Sequence, residues 1–120
     1  MTETGGTDMV ITIVQSPRTG GKPDKATSIA GASKSAPLYR EVKGLIRKDF
    51  LNGEDCGGGV YLWESRAAAE AWFNDEWWGW IEERFGARPM LTYFDHYVTV
   101  ENAAGEIRVD GVATTAAAAE

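Results

Sequence analysis

The chain has 120 residues, 43% of them hydrophobic and 25% charged, and these values fit one globular domain. Its net charge of −6 argues against a nucleic-acid partner, and its single cysteine, Cys56, excludes an internal disulfide and a cysteine zinc cluster. No apolar stretch reaches the roughly 20 residues of a membrane span and no signal-peptide pattern opens the chain, so we expect no membrane partner and a cytoplasmic location.

The first predicted element is a strand at residues 9–15, MVITIVQ, whose nearly continuous apolar sequence is typical of a central strand. A loop follows, and then a segment of small residues that forms helices poorly. Because Pro37 breaks a helix interior, we expect two short helices, near residues 24–33 and 36–42, with Ser35 as the N-cap of the second.

Two antiparallel strands are predicted next. Residues 44–51, GLIRKDFL, alternate in character and place Lys48 and Phe50 on one face of a strand. Residues 52–59, NGEDCGGG, are interpreted as a glycine-rich hairpin connection, and residues 60–63, VYLW, as the partner strand.

The second helical region is predicted to begin at Ser65, an N-cap residue, and to end near Gly86. Its middle contains the stretch WFNDEWWGW, with four tryptophans in nine positions. Asn74 and Asp75 form a second capping signal inside this region, so we expect the helix to kink or restart there.

The four tryptophans of this stretch cannot all face inward on a helix, with or without the restart. We expect Trp77 in the core or a pocket, with Trp78 packed beside it. Trp72 and Trp80 are then predicted at a pocket mouth or in a subunit contact, because an exposed tryptophan is unfavourable.

A long strand is predicted at residues 90–101, and a short strand or arm at residues 105–109. The order β, α, β, β, α, β predicts an α+β ferredoxin-like sandwich, with a four-stranded antiparallel sheet and its helices on one face. This single domain has its core at about residues 9–102, with loose ends at 1–8 and 103–120. The other sheet face is also apolar, which predicts a homodimer through the sheet faces.

Three stretches, APLYREVKGLIRKDFL, GGGVYLWESRAAAEAW and ERFGARPMLTYFD, resemble the YdhR-like mono-oxygenases of the dimeric α/β-barrel superfamily. The resemblance covers about residues 9–102, and its most specific part is GLIRK followed by GGGVYLWESR at this spacing. It implies a homodimeric barrel with a pocket between sheet and helices, and oxidation of aromatic or quinol substrates by O₂ without metal or flavin. Other members of the superfamily degrade haem or isomerise lactones. Trp77 matches the family's tryptophan, whereas Lys43 replaces its usual proline, and Trp78 and Trp80 are additional.

Few residues offer other chemistry. His96 is the only histidine, and a single histidine with scattered acids gives no metal spacing, so no metal or other cofactor is predicted. His96 could serve as a general base, although a lone histidine is more often a packing residue. Haem degradation would require His96 to face a large cavity.

The remaining candidate site is an aromatic and partly cationic pocket. Lys48 and His96 are the candidate catalytic residues, because a buried lysine with a lowered pKa could remove a substrate proton. The candidate substrate-binding residues are aromatic: Phe50, Tyr61, Trp63 and Trp77. We expect a mono-oxygenase that acts on a small aromatic or quinol-like molecule, or alternatively a non-catalytic homodimer that binds such a ligand. The same aromatic residues could also be plain core, with Lys48 reaching water.

Charge is distributed unevenly along the chain. Eight of the twelve Lys and Arg lie between Arg18 and Lys48, and fourteen of the eighteen Asp and Glu lie at or after Asp49. The two halves either mix in space or leave a cationic rim that attracts an anionic small molecule.

Overall fold

The computed structural model describes residues 8–114, which form an α+β fold. Four strands build an antiparallel sheet in the order β2-β3-β1-β4, an arrangement compatible with the predicted ferredoxin-like fold. The strands of this sheet are β1 (Val10–Pro17), β2 (Leu45–Asn52), β3 (Cys56–Trp63) and β4 (Met90–Asp95). The helices are α1 (Lys25–Tyr39), α2 (Arg66–Trp72) and α3 (Asp75–Phe85). None of these helices combines the length and apolar character needed to cross a bilayer.

The core lies between the sheet and the helices α2 and α3. Alternate residues of β1 and β3 point into it, because successive side chains of a strand face opposite sides of the sheet. Trp63 is fully buried, and its Nε1 donates a hydrogen bond to Thr12 Oγ1 over 2.9 Å. This bond satisfies both polar groups and explains a threonine in the core. The residues of the buried apolar cluster are Val10, Val14, Tyr61, Trp63, Ala69, Phe73, Trp77 and Ile81.

The first helix is continuous, and the prediction of two short helices divided before Pro37 is wrong. Asp24 caps α1 by accepting a hydrogen bond from the Thr27 amide at 2.8 Å, and Ser35 lies inside the helix. Pro37 stands in the last turn, two residues before the helix ends at Tyr39. The missing proline N–H therefore removes a single hydrogen bond near the helix end and leaves the preceding turns intact.

The predicted restart of the second helical region is confirmed. The side chain of Asn74 accepts a hydrogen bond from the Trp77 amide at 2.9 Å and begins α3, after α2 has ended at Trp72. Ser65 caps α2 as predicted, and Gly86 ends α3 in the left-handed conformation, with φ of 75°.

The predicted strand at residues 90–101 divides in two, because the chain leaves the four-stranded sheet after Asp95. The His96 amide donates to the Met9 carbonyl at 3.0 Å, and the chain then enters a second, three-stranded sheet. Its strands are β5 (Val98–Glu101), β6 (Glu106–Val109) and β7 (Val112–Ala113).

This second sheet, residues 98–113, is called the arm below. Part of the predicted loose C-terminal end is therefore regular structure, while residues 1–7 and 115–120 lie outside the described residues. The pairing of the three strands aligns aliphatic side chains on one face of the arm, and most of them are exposed. These side chains are Val98, Val100, Ile107, Val109 and Val112.

The face of the four-stranded sheet away from the helices is apolar, as predicted. Ile11 and Ile13 of β1 are only half-buried there, beside Val60 and Leu62 of β3. On β4, Phe94 pairs with Ile11 and is 49% exposed. No element among the described residues covers this face, which is called the open face below.

Candidate functional site

A cavity of about 310 Å³ lies between α1, α3 and the β2-β3-β1 part of the sheet. The helix α1 contacts the sheet through Tyr39 at its C-terminal end, whose ring packs edge to face on Phe50 and Tyr61. The other α1 residues that line the cavity are small: Thr27, Ser28, Gly31, Ala32 and Ser35. A volume of this order is at the lower end of the range for small-molecule sites, which is about 300–1,000 Å³.

Lys48 is the central polar group of the cavity wall. Its Nζ lies 3.5 Å from the ring centroid of Tyr39, 4.1 Å from that of Phe50 and 4.7 Å from that of Tyr61. Tyr61 is its direct partner across β2 and β3, and Phe50 is two residues further along the same face of β2. Among the described residues no carboxylate forms an ion pair with Lys48. Burial lowers the pKa of Lys48 to about 7, so near neutral pH a large fraction of the side chain is a free amine.

The two tyrosines beside Lys48 stay in their phenol form. Burial raises the pKa of Tyr39, and burial together with the neighbouring Tyr39 raises the pKa of Tyr61. Their rings contact edge to face, with centroids 6.1 Å apart. The Tyr61 hydroxyl donates a hydrogen bond to that of Tyr39, so the proton of Tyr39 is the donor left on the wall that carries the lysine.

Two glycines of β3 make room for cationic side chains at the cavity. A Cβ on Gly59 would lie 2.8 Å from Lys48 Cε, and a Cβ on Gly57 would collide with the guanidinium of Arg18. The interpretation of residues 57–59 as part of a hairpin connection is wrong, because β3 begins at Cys56. The turn between β2 and β3 is therefore shorter than predicted. Gly57 and Gly59 lie within β3, where the lack of a side chain leaves space for Arg18 and Lys48.

Of the six predicted site residues, the structure brings four together at the cavity: Lys48, Phe50, Tyr61 and Trp77. Trp63 shares the face of Tyr61 but does not line the cavity, because its ring is enclosed in the core and bonded to Thr12.

His96 does not line the cavity either. It follows β4, and β1 and β3 lie between β4 and β2, so three strand spacings of about 4.8 Å separate it from Lys48 by roughly 14 Å across the sheet. It also lies three residues beyond Tyr93, the residue of β4 in register with Lys48, which adds about 10 Å along the strand. Its Nε2 is 2.7 Å from Thr99 Oγ1. The predicted roles of His96 as a second catalytic residue or as a haem ligand therefore gain no support from the cavity that Lys48 lines.

The cavity also includes residues that the sequence did not predict there, namely Arg18, Tyr39 and Arg84. The available signal was the spacing of small residues at Thr27, Gly31 and Ser35, which marks one face of a single helix. Because two helices divided at Pro37 were predicted in place of one, this common face was not recognised.

The tryptophans of α2 and α3 divide between core and surface. Trp77 is buried and lines the cavity, while Trp80 is 45% exposed at its rim, one of the two positions predicted for it. Trp78 packs edge to face on Trp77 and carries the guanidinium of Arg88 over its ring at 3.9 Å. Trp72 contacts the ring of Tyr39.

No protein-family model matches this chain, and no curated protein is significantly similar to it. The resemblance to the YdhR-like mono-oxygenases therefore stays a prediction. Within residues 8–114, no three His, Cys, Asp or Glu side chains come together as a metal site would require.

Proposed function

We propose that this protein is a cofactor-independent mono-oxygenase that oxidises a small aromatic or quinol-like molecule in the cavity. The observation that carries the proposal is Lys48, an amine with a pKa of about 7 on the wall of an aromatic cavity. A base acts best when its pKa lies near the working pH, and this lysine meets that condition. The rings of Phe50, Tyr61 and Trp77 offer flat surfaces against which an aromatic substrate can pack.

One substrate that fits this chemistry carries an activated C–H group, such as the methylene of an anthrone. The free amine of Lys48 accepts one proton from this carbon, and the resulting ammonium stabilises the enolate. The enolate transfers an electron to O₂, and the radical pair combines to form a C–O bond. Lys48 returns its proton to the outer peroxide oxygen. The O–O bond then breaks, the outer oxygen leaves as water with the second hydrogen of the carbon, and the electron pair of that C–H bond forms the C=O bond. In total one methylene and one O₂ give one ketone and one H₂O, so no external reductant enters.

The proposal predicts that Lys48→Met lowers turnover about 100-fold or more, because general-base catalysis typically contributes 10²–10⁴-fold. Oxygen consumption is measured with anthrones, quinols and phenols, and ligand affinity by quenching of tryptophan fluorescence. The affinity is expected to stay within about threefold, because methionine keeps the length and apolar stem of lysine. The wild-type rate is expected to rise with pH through about 7, as the lysine becomes a free amine.

The matched control is His96→Asn, since His96 lies outside the cavity and its replacement is expected to leave turnover unchanged. Full turnover by Lys48→Met, or no oxygen uptake with any compound that binds, would refute the oxygenase proposal.

One observation favours a second function, the binding of an aromatic ligand without catalysis. The three ring faces around Lys48 stabilise its ammonium form through cation–π contacts, which opposes the loss of a proton on burial. A lysine that remains an ammonium could hold an anionic ligand but could not act as a base. Tight binding with no oxygen uptake at any pH between 6 and 9 would support this second function.

We also propose that two copies of the chain form a homodimer through their open faces, closing the two sheets into a barrel. The support is the apolar open face and the apolar face of the arm, neither of which any described element covers. Such contiguous apolar surfaces are typical of subunit contacts. A small separate sheet like the arm also needs a packing partner for stability.

The dimer is tested by sedimentation of the full chain at micromolar concentration. We expect a two-chain species for the wild type and a shift to single chains for Phe94→Glu, which places a charge on the open face. The control is Ile29→Glu on α1, because Ile29 is 54% exposed but lies on the helical side. Single chains for the wild type would contradict the proposal.

A further inference from the structure

The cavity carries a charge opposite to that of the whole protein. Three of its lining residues are cationic, namely Arg18, Lys48 and Arg84, and none is an aspartate or glutamate. The chain as a whole has 18 acidic and 12 basic residues. The uneven charge seen along the sequence thus becomes a local excess of positive charge around an aromatic space.

Arg84 stands at the rim of the cavity with its charge uncompensated. Its guanidinium carbon lies 5.6 Å from the ring centroid of Trp80 and 5.5 Å from that of Phe85, so two aromatic rings flank it. None of the ion pairs among residues 8–114 includes it. Its positive charge acts on the phenol of Tyr39, where it favours the ionised form and opposes the effect of burial on the pKa. The field of Arg84 therefore reaches the aromatic wall beside Lys48.

Arg18 is held in place by the loop between β2 and β3. Its Nη1 donates to Asn52 Oδ1 at 2.8 Å and to the Gly53 carbonyl at 3.0 Å. Both acceptors are neutral, so the charge of Arg18 also remains uncompensated. Because Arg18 also holds this loop in place, its replacement would change the structure as well as the charge. Arg84 is therefore the better residue for an experiment.

We propose that the cavity selects aromatic carboxylic acids, with the rings against Tyr39, Phe50 and Tyr61 and the carboxylate on the guanidinium of Arg84. The proposal rests on the cavity being the ligand site of the proposed function and adds the class of ligand. Arginine binds a carboxylate through two parallel hydrogen bonds, and such charge-assisted bonds are stronger than neutral ones. Because Arg84 is exposed at the rim, this pairing is accessible to a ligand that enters the cavity but is screened by water and salt.

Arg84 and Lys48 then have separate tasks. An arginine keeps its charge at any working pH, whereas Lys48 loses its proton near pH 7. A carboxylate held by Arg84 remains bound when the lysine is a free amine, so binding and proton removal occur in the same pH range. If Lys48 were the anchor instead, affinity for the carboxylate would fall as the pH rises through 7.

The test compares 2-naphthoate, its neutral amide 2-naphthamide and the cationic 2-naphthylmethylammonium, by quenching of tryptophan fluorescence at pH 6 and pH 9. We expect the carboxylate to bind about fivefold more tightly than the amide at low salt, because a solvent-exposed pair of opposite charges contributes up to about that factor. The ammonium compound is expected to bind weakest. The preference for the carboxylate is expected to persist at pH 9 and to diminish as salt is added.

Arg84→Gln is expected to reduce the preference to less than about twofold, because the exposed ion pair is lost. The affinity for the amide is expected to stay unchanged, which also shows that the variant is folded. The matched control is Arg88→Gln, because Arg88 pairs with Glu82 and does not line the cavity. Equal affinity of the wild type for naphthoate and naphthamide, or a preference that survives Arg84→Gln, would overturn the proposal. Binding assays need no oxygen uptake, so selective binding without turnover would refute only the oxygenase. Turnover of neutral and carboxylated substrates at the same rate would refute only the anion selectivity.

Discussion

Lys48→Met is expected to stabilise the protein at pH 6–7 and to flatten the pH dependence of its stability. Burial lowers the pKa of Lys48 from 10.5 to about 7, so the folded chain releases this proton near pH 7 and the unfolded chain near pH 10.5. Between these values the unfolded chain binds one more proton. The free energy of unfolding of the wild type therefore rises with pH, by at most about 1.4 kcal/mol per pH unit.

Below pH 7 both states hold the proton, and the folded chain carries the full cost of a buried ammonium. The methionine variant lacks this cost. Its free energy of unfolding therefore exceeds that of the wild type most below pH 7, and the difference decreases as the pH rises. Urea unfolding is measured from pH 6 to 9.5, below the range in which tyrosines ionise in the unfolded chain. Lys34→Met is the control, since Lys34 is an exposed lysine of α1. Parallel stability curves for the wild type and Lys48→Met would refute the burial of this amine.

Gly58→Ala is expected to prevent folding or to cost at least about 3 kcal/mol, the scale of combined backbone strain and overpacking. Gly58 has φ of 147°, which side chains rarely adopt, and a Cβ at this position would collide with the Val14 carbonyl of the neighbouring strand. Because the neighbour is backbone in the centre of the sheet, it cannot move aside as a flexible side chain could.

The matched control is Gly79→Ala in the middle of α3, where a Cβ would meet nothing within 4 Å. This variant is expected to gain about 0.5–1 kcal/mol, because alanine is a better helix former than glycine. Urea or thermal unfolding followed by circular dichroism measures both. A Gly58→Ala protein as stable as the wild type would show that β1 and β3 can separate at this point.

Local signals in the sequence predicted much of the fold correctly. The alternation in residues 44–51 and the apolar residues 9–15 located two strands, and the capping pair Asn74-Asp75 located the helix restart. Pro37 led to the wrong prediction of two short helices. A proline breaks a helix only when it lies in the interior, and here the helix ends two residues later, at the turn that leads into β2. The strand predicted at residues 90–101 was too long. Residues on both sides of the break after Asp95 favour strands, so the composition gave no sign of it.

The site was predictable only in part. Strand periodicity tells which face of the sheet a side chain is on, but it does not tell which part of that face the cavity occupies. Tyr61 and Trp63 share one face, yet only Tyr61 reaches the cavity and Trp63 lies under Phe73 in the core. Tyr39 and Arg84 come from helices whose rotation against the sheet follows from tertiary packing. No sequence pattern here specified that rotation.

The small residues on the cavity side of α1 make the cavity volume sensitive to single substitutions. Tyr39 anchors the end of this helix on the core, while Gly31, Ala32 and Ser35 form one side of the cavity and none of them is fully buried. A larger residue at any of these three positions is expected to fill part of the cavity while the core and the sheet side that carries Lys48 stay unchanged. The size and shape of the cavity are therefore set by the α1 side and its chemistry by the sheet side, so that the two can be varied independently.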